Sequence, residues 1–241
     1  MSHTTETTVH EIAAGIYRIS TPVPPAAMPG GFTFNQFLIV DDEPLLFHTG
    51  MRSLFPAVRA AVGRVIDPAS LRWVGFSHVE ADECGALNDW LAVAPHARPV
   101  CSQVAAMTSG DMADRPPRPL GDLEELPLGG TRRVRWLDAP HLPHNWECGY
   151  LFEASTQTLL CGDLFTHAGA DLPPVTESEV LTPAEAMRQA VPASFAVEAH
   201  ARGILDKLAA TEPRTLALMH GSSYRGDGAA LLRALGDALG V

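Results

Sequence analysis

The chain reads as an α/β (α+β) protein with two β-sheets clad by helices, forming a single domain over residues 1–241. Strand-like apolar runs fall in an early set and a late set, each followed by helical spacing, without the strict alternation of a doubly wound parallel sheet. Polar residues able to bind metal recur just past strand ends, where loops carry chemistry. No repeat or low-complexity linker divides the sequence.

Residues 9–19 place Val9, Ile12, Ile16, Tyr17 and Ile19 around Gly15, the pattern of two short strands and a turn. Residues 21–31 hold four prolines and two glycines, so they are expected to form a loop over the sheet's end that borders the site. Residues 33–40 and 44–47, separated by Asp41-Asp42-Glu43, form an expected hairpin of buried strands. An amphipathic helix is expected over 53–66, with Leu54, Val58, Ala61, Val62 and Val65 on one face. A strand over 72–76 leads into a polar loop, and helical spacing resumes at 85–91.

Further on, 98–102 is a strand, 103–107 starts a helix, and 110–121 is a surface excursion rich in Pro and Asp. Residues 132–137 alternate like a half-exposed strand, and 149–153 with 158–161 make another hairpin. Residues 182–210 are mainly helical, with Thr182 as N-cap before Pro183 and a break at Pro192. A last strand covers 215–219, and a helix over 228–239 closes the chain.

Within 76–85 lie four candidate metal ligands, His78, Glu80, Asp82 and Glu83. Carboxylates and an imidazole crowded in this way repel or pay desolvation unless a cation neutralises them. A solvated acidic loop is the alternative. Three more candidates follow predicted strands, His144, Asp163 and His220, and strand ends at one rim bring distant residues together.

With 46% hydrophobic and 19% charged residues among 241, the composition is that of an ordinary globular protein. No apolar run approaches the ~20 residues that span a bilayer. The polar N-terminus carries no secretory pattern, so a cytoplasmic location is expected. The four cysteines lack a CxxC pair and are expected as free thiols. A net charge of -11 and no basic cluster argue against nucleic acid or an anionic membrane as partner.

The order His78-x-Glu80-x-Asp82-Glu83, then His144, Asp163 and His220-Gly221, resembles the metallo-β-lactamase superfamily. Within it the resemblance is closest to flavodiiron proteins and single-domain oxygen-binding diiron proteins. Asn35-Gln36-Phe37-Leu38-Ile39 is similar to the family's early Asn-x-Tyr-Leu-Ile strand, and the nineteen-residue step from His144 to Asp163 suits its third and fourth ligand positions. Asp163-Leu164-Phe165 and His220-Gly221-Ser222-Ser223-Tyr224-Arg225 resemble its later motifs.

The resemblance implies an αββα sandwich and two metal ions, iron first, with manganese or zinc as alternatives. It assigns His78, Glu80 and His144 to one ion and Asp82 and His220 to the other, with Asp163 bridging. Zinc hydrolases of the superfamily usually have His where Glu80 stands, and an oxygen there shifts the site toward iron or manganese. Glu83 replaces a usual His and either binds the second ion or faces water. His48 stands where the superfamily commonly has Asp before Thr-Gly, which gives it a role hydrogen-bonding a ligand. His141 is the alternative to His144; His167 is a candidate for lining the pocket or supporting a ligand, and Tyr224 a weaker one. Trp146 reads as a core or pocket-wall aromatic, and His3, His10, His96 and His200 as ordinary residues.

The function so implied is binding or reduction of dioxygen or nitric oxide at a diiron centre. Two alternatives remain, a gas or metal sensor and a metal-dependent hydrolase of a small ester, lactone or amide. Only residues 226–241 follow Arg225, so no flavin domain is expected in this chain. Electrons would come from a separate donor protein or a small reductant, and a homodimer is implied by the family.

Overall fold

The computed structural model describes residues 6–196 and 199–241. Short turns at Gly15 and at 41–43 join β1 (Thr8–Ala13), β2 (Ile16–Val23), β3 (Phe32–Ile39) and β4 (Leu45–Phe47) into an antiparallel run. Helical crossovers then replace turns, and β5 (Trp73–Gly75), β6 (Arg98–Ser102) and β7 (Arg118–Leu120) extend the same sheet in parallel. The crossovers are α1 (Phe55–Val62), the one-turn α2 (Ala81–Cys84), α3 (Leu87–Val93) and α4 (Gln103–Ser109).

The second sheet comprises β8 (Glu125–Pro127), β9 (Arg133–Asp138), β10 (Gly149–Glu153), β11 (Thr158–Leu160), β12 (Val175–Thr176), β13 (Thr215–Ala217) and β14 (Ser223–Arg225). Their order across the sheet is β12-β14-β13-β11-β10-β9-β8. Its helices are α5 (Leu181–Ala190), α6 (Ala201–Ala209) and α7 (Gly228–Leu239).

Alternation along the strands sends one face of each sheet to the middle and the other to the helices. Phe37, Phe47, Trp73, Trp136, Leu151 and Leu160 pack between the sheets. Val58, Val62, Trp90 and Ala105 cover Leu38, Leu46 and Val74 on one outside; Leu205, Leu208 and Leu232 cover Leu137, Phe152 and Leu216 on the other. The result is the expected αββα layering. Trp136 is fully buried and its indole N–H donates to Asp138 Oδ1 at 2.7 Å; truncating such a side chain to Ala costs about 3–5 kcal/mol.

Several expectations need correction. The helix expected over 53–66 is shorter, a 3₁₀ turn at Arg52–Leu54 followed by α1, with Gly63 at its C-cap. The supposed loop over 21–31 begins as strand: β2 runs to Val23, and Pro22 is tolerated because β1 has ended opposite Ser20, so no strand needs its missing N–H. Strands β7, β8, β12 and β14 escaped the sequence pattern. Each is only two or three residues, and β7 and β8 are edge strands containing Pro119 and Pro127. Residues 182–210 split into α5, a 3₁₀ turn at Pro192–Ser194, and α6. Thr182 lies inside α5 rather than capping it, and its N–H donates to Glu179 Oε1. The four cysteines are free and buried. Among the described residues, no helix is long and apolar enough to cross a membrane. His3 and the rest of 1–5 lie outside the described residues.

Candidate metal centre

Loops from both sheets converge at one end of the sandwich. The segment after β5 supplies His78 and Glu80, and α2 then presents Asp82 and Glu83, so the acidic cluster straddles a loop and a one-turn helix rather than a loop alone. Thr49, just after β4, fixes that helix. Its N–H donates to the Glu83 carbonyl at 2.7 Å, and its hydroxyl oxygen accepts from Ala86 N–H at 3.1 Å. His144 comes from the β9–β10 loop, Asp163 follows β11, and His220 follows β13.

These seven residues form two groups, each with ligand atoms within 4.8 Å of one another: His78, Glu80, His144 and Asp163; and Asp82, Glu83 and His220. Glu80 Oε2 lies 3.2 Å from His78 Nε2 and 3.1 Å from His144 Nε2. Asp163 spans the groups. Its Oδ2 is 3.5 Å from His78 Nε2 and 3.4 Å from His144 Nε2, while its Oδ1 is 3.2 Å from His220 Nε2. Glu83 is fully enclosed on the Asp82–His220 side, and its Oε2 also lies 3.9 Å from His78 Nε2.

The hydrogen bonds around the imidazoles decide which nitrogen faces inward. His144 Nδ1–H donates to the Ser194 carbonyl and His220 Nδ1–H to the Thr33 carbonyl, both at 2.8 Å. Each Nε2 is thus the nitrogen that faces the carboxylate oxygens, with room between them for either a proton or a metal cation. Both Glu83 oxygens and Asp163 Oδ1 are buried without a hydrogen-bond partner. Oxygen and imidazole donors, with no thiolate among them, suit iron or manganese. The residues present thus fit a pair of metal ions.

Charges shift accordingly. Burial alone would lower His144, but the hydrogen bond to Glu80 and the charge of Asp163 raise it to about 9. His220 is likewise opposed by burial, yet Asp163 and Asp82 raise it to about 10. Hydrogen bonds from His144 and His78 lower Glu80 to about 2. Glu83 is pushed well above the usual carboxylate range, by burial first and then by Asp163 and Asp82.

A cavity of about 280 Å³ opens on the groups. Glu80, Asp82, His144, Asp163 and His220 form its polar floor, and Met28, Phe32, Phe165, Met187, Val191 and Phe195 are among its walls. Glu185 and Arg188, also at its wall, pair through contacts of 2.7–3.1 Å. Met28 bears out the expectation that 21–31 borders the site.

The remaining candidates fall elsewhere. His141 is in neither group; it adopts a left-handed φ of +60° and its ring lies 6.2 Å from that of His200. His167 is not in the cavity wall. It is buried behind His220, with Nδ1–H donating to the Phe165 carbonyl and Nε2 accepting from Ser222 N–H. Tyr224 sits on β14 against the helices of the second sheet, away from the cavity. Trp146 is 55% exposed and so is neither core nor pocket wall. His48 is buried, 3.0 Å from Ser77 Oγ, which in turn lies 2.9 Å from His78 Nδ1.

Sequence reasoning missed the residues that hold the ligands. Asn35, quoted only as part of a strand motif, donates through Nδ2 to the carbonyls of Leu218 and Gly221 at 2.9 and 3.0 Å. The Gly221 carbonyl also receives Arg18 Nη2, and Gly221 N–H donates to Thr33 Oγ1. Arg18 gives no local signal beyond being a charge in an apolar strand, and burial lowers its pKa to about 10.

Comparison with known proteins bears on the same end of the molecule. A family model described as ODP family beta lactamase matches residues 32–221. A diflavin flavoprotein A 1 of Thermosynechococcus vestitus is 31% identical over 161 residues, covering 65% of this chain and 28% of that protein. A nitric oxide reductase of Moorella thermoacetica is 32% identical over 75 residues, 31% of this chain and 19% of its own. Among solved structures, a metal-soaked Flv1 flavodiiron core from Synechocystis sp. superposes with a TM-score of 0.85 at 21% identity, covering 98% of this chain and 61% of that one. The rubredoxin oxygen:oxidoreductase of Desulfovibrio gigas gives 0.79 at 19%, covering 97% and 62%. The chain thus spans about a quarter of the first curated relative, and the fold is that of the metallo-β-lactamase-like flavodiiron core.

Proposed function

The chain belongs to the ODP family of β-lactamase-fold proteins, and from that premise we propose that its two ligand groups hold a pair of iron ions at which dioxygen or nitric oxide is bound or reduced. The observation that carries this reading is Glu80, whose carboxylate oxygen stands 3.2 and 3.1 Å from the inward nitrogens of His78 and His144, where zinc hydrolases of this fold usually have an imidazole. The names of two similar proteins, a nitric oxide reductase and a rubredoxin oxygen:oxidoreductase, point the same way.

In this reading His78, Glu80 and His144 hold one ion, Asp82, Glu83 and His220 the other, and Asp163 reaches both. Iron held there would supply electrons to a diatomic gas. The protein contributes the rest. Four carboxylates offset the positive charge of two ions, and the carbonyls of Thr33 and Ser194 hold two imidazoles with their lone pairs inward. Apolar walls favour an uncharged gas over water in the cavity.

The reading further assigns the described residues to one domain, makes the protein an oxidoreductase, and brings its electrons from a separate donor protein or small reductant. It places the protein in the cytoplasm and pairs it with a second copy. The test is anaerobic iron loading and chemical reduction, followed by mixing with dioxygen or nitric oxide while absorbance is recorded. Gas uptake with a spectral change is expected. A reduced, iron-loaded protein inert to both gases that instead cleaves an ester or lactone would overturn the proposal in favour of hydrolysis.

A further inference from the structure

Behind His78 runs a sealed chain of three polar side chains. His48, Ser77 and His78 are at most 1% exposed, and the contacts His48 Nε2 to Ser77 Oγ and Ser77 Oγ to His78 Nδ1 measure 3.0 and 2.9 Å. The backbone holds His48 at a left-handed φ of +66°, with its N–H on the Gly75 carbonyl at 2.8 Å and its ring stacked 4.4 Å from Phe47. A β-carbon residue tolerates that conformation only where its surroundings enforce it.

With the Ser77 hydroxyl both accepting and donating, proton bookkeeping along the chain runs as one relay. The Nε2 of His78 faces Glu80, His144 and Asp163, so if its lone pair is inward, its proton is on Nδ1. That Nδ1–H donates to Ser77 Oγ. The Ser77 hydroxyl, having accepted, donates its own proton to His48 Nε2, and His48 must then carry its single proton on Nδ1. His48 Nδ1 is buried without a hydrogen-bond partner, and burial keeps the ring neutral. The reverse arrangement, with His48 Nε2–H donating to Ser77 and Ser77 donating to His78 Nδ1, would put a proton on His78 Nε2 where an ion is to bind.

We propose that His48 is a positioning residue which, through Ser77, fixes His78 in the tautomer whose Nε2 lone pair faces the Glu80–His144–Asp163 group. The relay rests on the metal-centre part of the reading above, and it holds for any metal, whether the chemistry is redox or hydrolytic. A carboxylate in place of His48 would accept the same proton chain while adding negative charge. The neutral imidazole accepts it without charge, so His78 remains a weaker donor than a charged relay would make it.

The test uses the full chain loaded with zinc, which is diamagnetic and separates the relay from iron chemistry. Long-range proton–nitrogen spectra of the histidine rings should show His48 protonated at Nδ1 and bare at Nε2, a state that the metal does not itself impose. In Ser77→Ala, zinc titration should show one of the two ions bound about 10–100-fold more weakly and the other unchanged. His48→Asn, which keeps an acceptor, should lose less than His48→Phe. A His48 proton on Nε2, or a Ser77→Ala protein that binds both ions as tightly as wild type, overturns the relay while leaving the metal centre intact. A wild-type chain that takes up no metal overturns both.

Discussion

Nε2 of His78 and Nε2 of His144 face each other at 2.9 Å, with their rings at 87°. Both Nδ1 atoms are engaged, by Ser77 and by the Ser194 carbonyl. Two lone pairs so directed would repel across a gap that a proton fills in the metal-free protein and an ion would fill in the proposed reading, so that protons and metal would compete for one place.

That competition sets a pH dependence. In the metal-free protein His144 at about 9 and His220 at about 10 exceed the ~6.5 of an unfolded histidine, so their stabilising contribution is complete below that value and is lost as pH rises through 9 and 10. Glu83, which keeps its proton in the fold after the unfolded chain has released it, acts in the same direction above 4.5. Glu80 acts oppositely, its contribution present above 4.5 and lost as pH falls through about 2. Chelator-treated protein should therefore melt at progressively lower temperature from pH 6.5 to 10. Metal-loaded protein should not. A flat or rising melting temperature for the metal-free form contradicts this balance.

Asp163→Ala and Glu83→Ala should separate bridging from single-ion ligation. Asp163 presents one oxygen to each group, so its loss should weaken both ions by about ten- to a hundredfold, the equivalent of one charge-assisted contact apiece. Glu83→Ala should weaken one. Metal titration of both variants decides, and equal losses at both ions in Glu83→Ala would mean that it too is shared.

Four carboxylates against three imidazoles should favour iron or manganese over zinc when all three are supplied during expression. Elemental analysis should find two ions per chain. A zinc pair that iron cannot displace would remove the basis for redox chemistry.

Gly221→Ala should damage the site from behind. A methyl there would lie 2.3–2.5 Å from the His167 ring, at a φ of +90° that side chains rarely adopt. His167 holds the Ser222 N–H, so its displacement moves the segment bearing His220. A loss of about 2 kcal/mol is expected, or about 4–8 °C in melting temperature for a chain of this size. Thermal denaturation measures it, and an unchanged midpoint would show that the segment adapts.

The layering and the seven residues brought together were legible because hydrophobic pattern and strand-end position are local properties. Residues 228–239 show it best, where the helical spacing matches α7 throughout. Elements defined by neighbours rather than by pattern were not legible. Strands β12 and β14 pair over two residues, Val175 with Ser223 and Thr176 with Tyr224, too few to show alternation. The Ser77 relay and the Arg18 and Asn35 contacts to Gly221 link residues far apart in sequence, and no spacing within one segment encodes them. Trp146 misled because an aromatic residue is more often buried, whereas here it is exposed in the β9–β10 loop.

The two groups differ in how they meet the surroundings. The Glu80 side chain is 52% exposed and that of His144 24%, against 7% for His220 and none for Glu83. His78 is enclosed too, so water and chelators reach the Glu80–His144 edge of the centre more readily than the Glu83–His220 side. Occupancy should empty in sequence, the outer ion leaving first and the inner one lingering, so that a half-filled molecule is a regular stage in loading and unloading. In the proposed reading the inner metal would be part of the structure and the outer one would be traded with the environment.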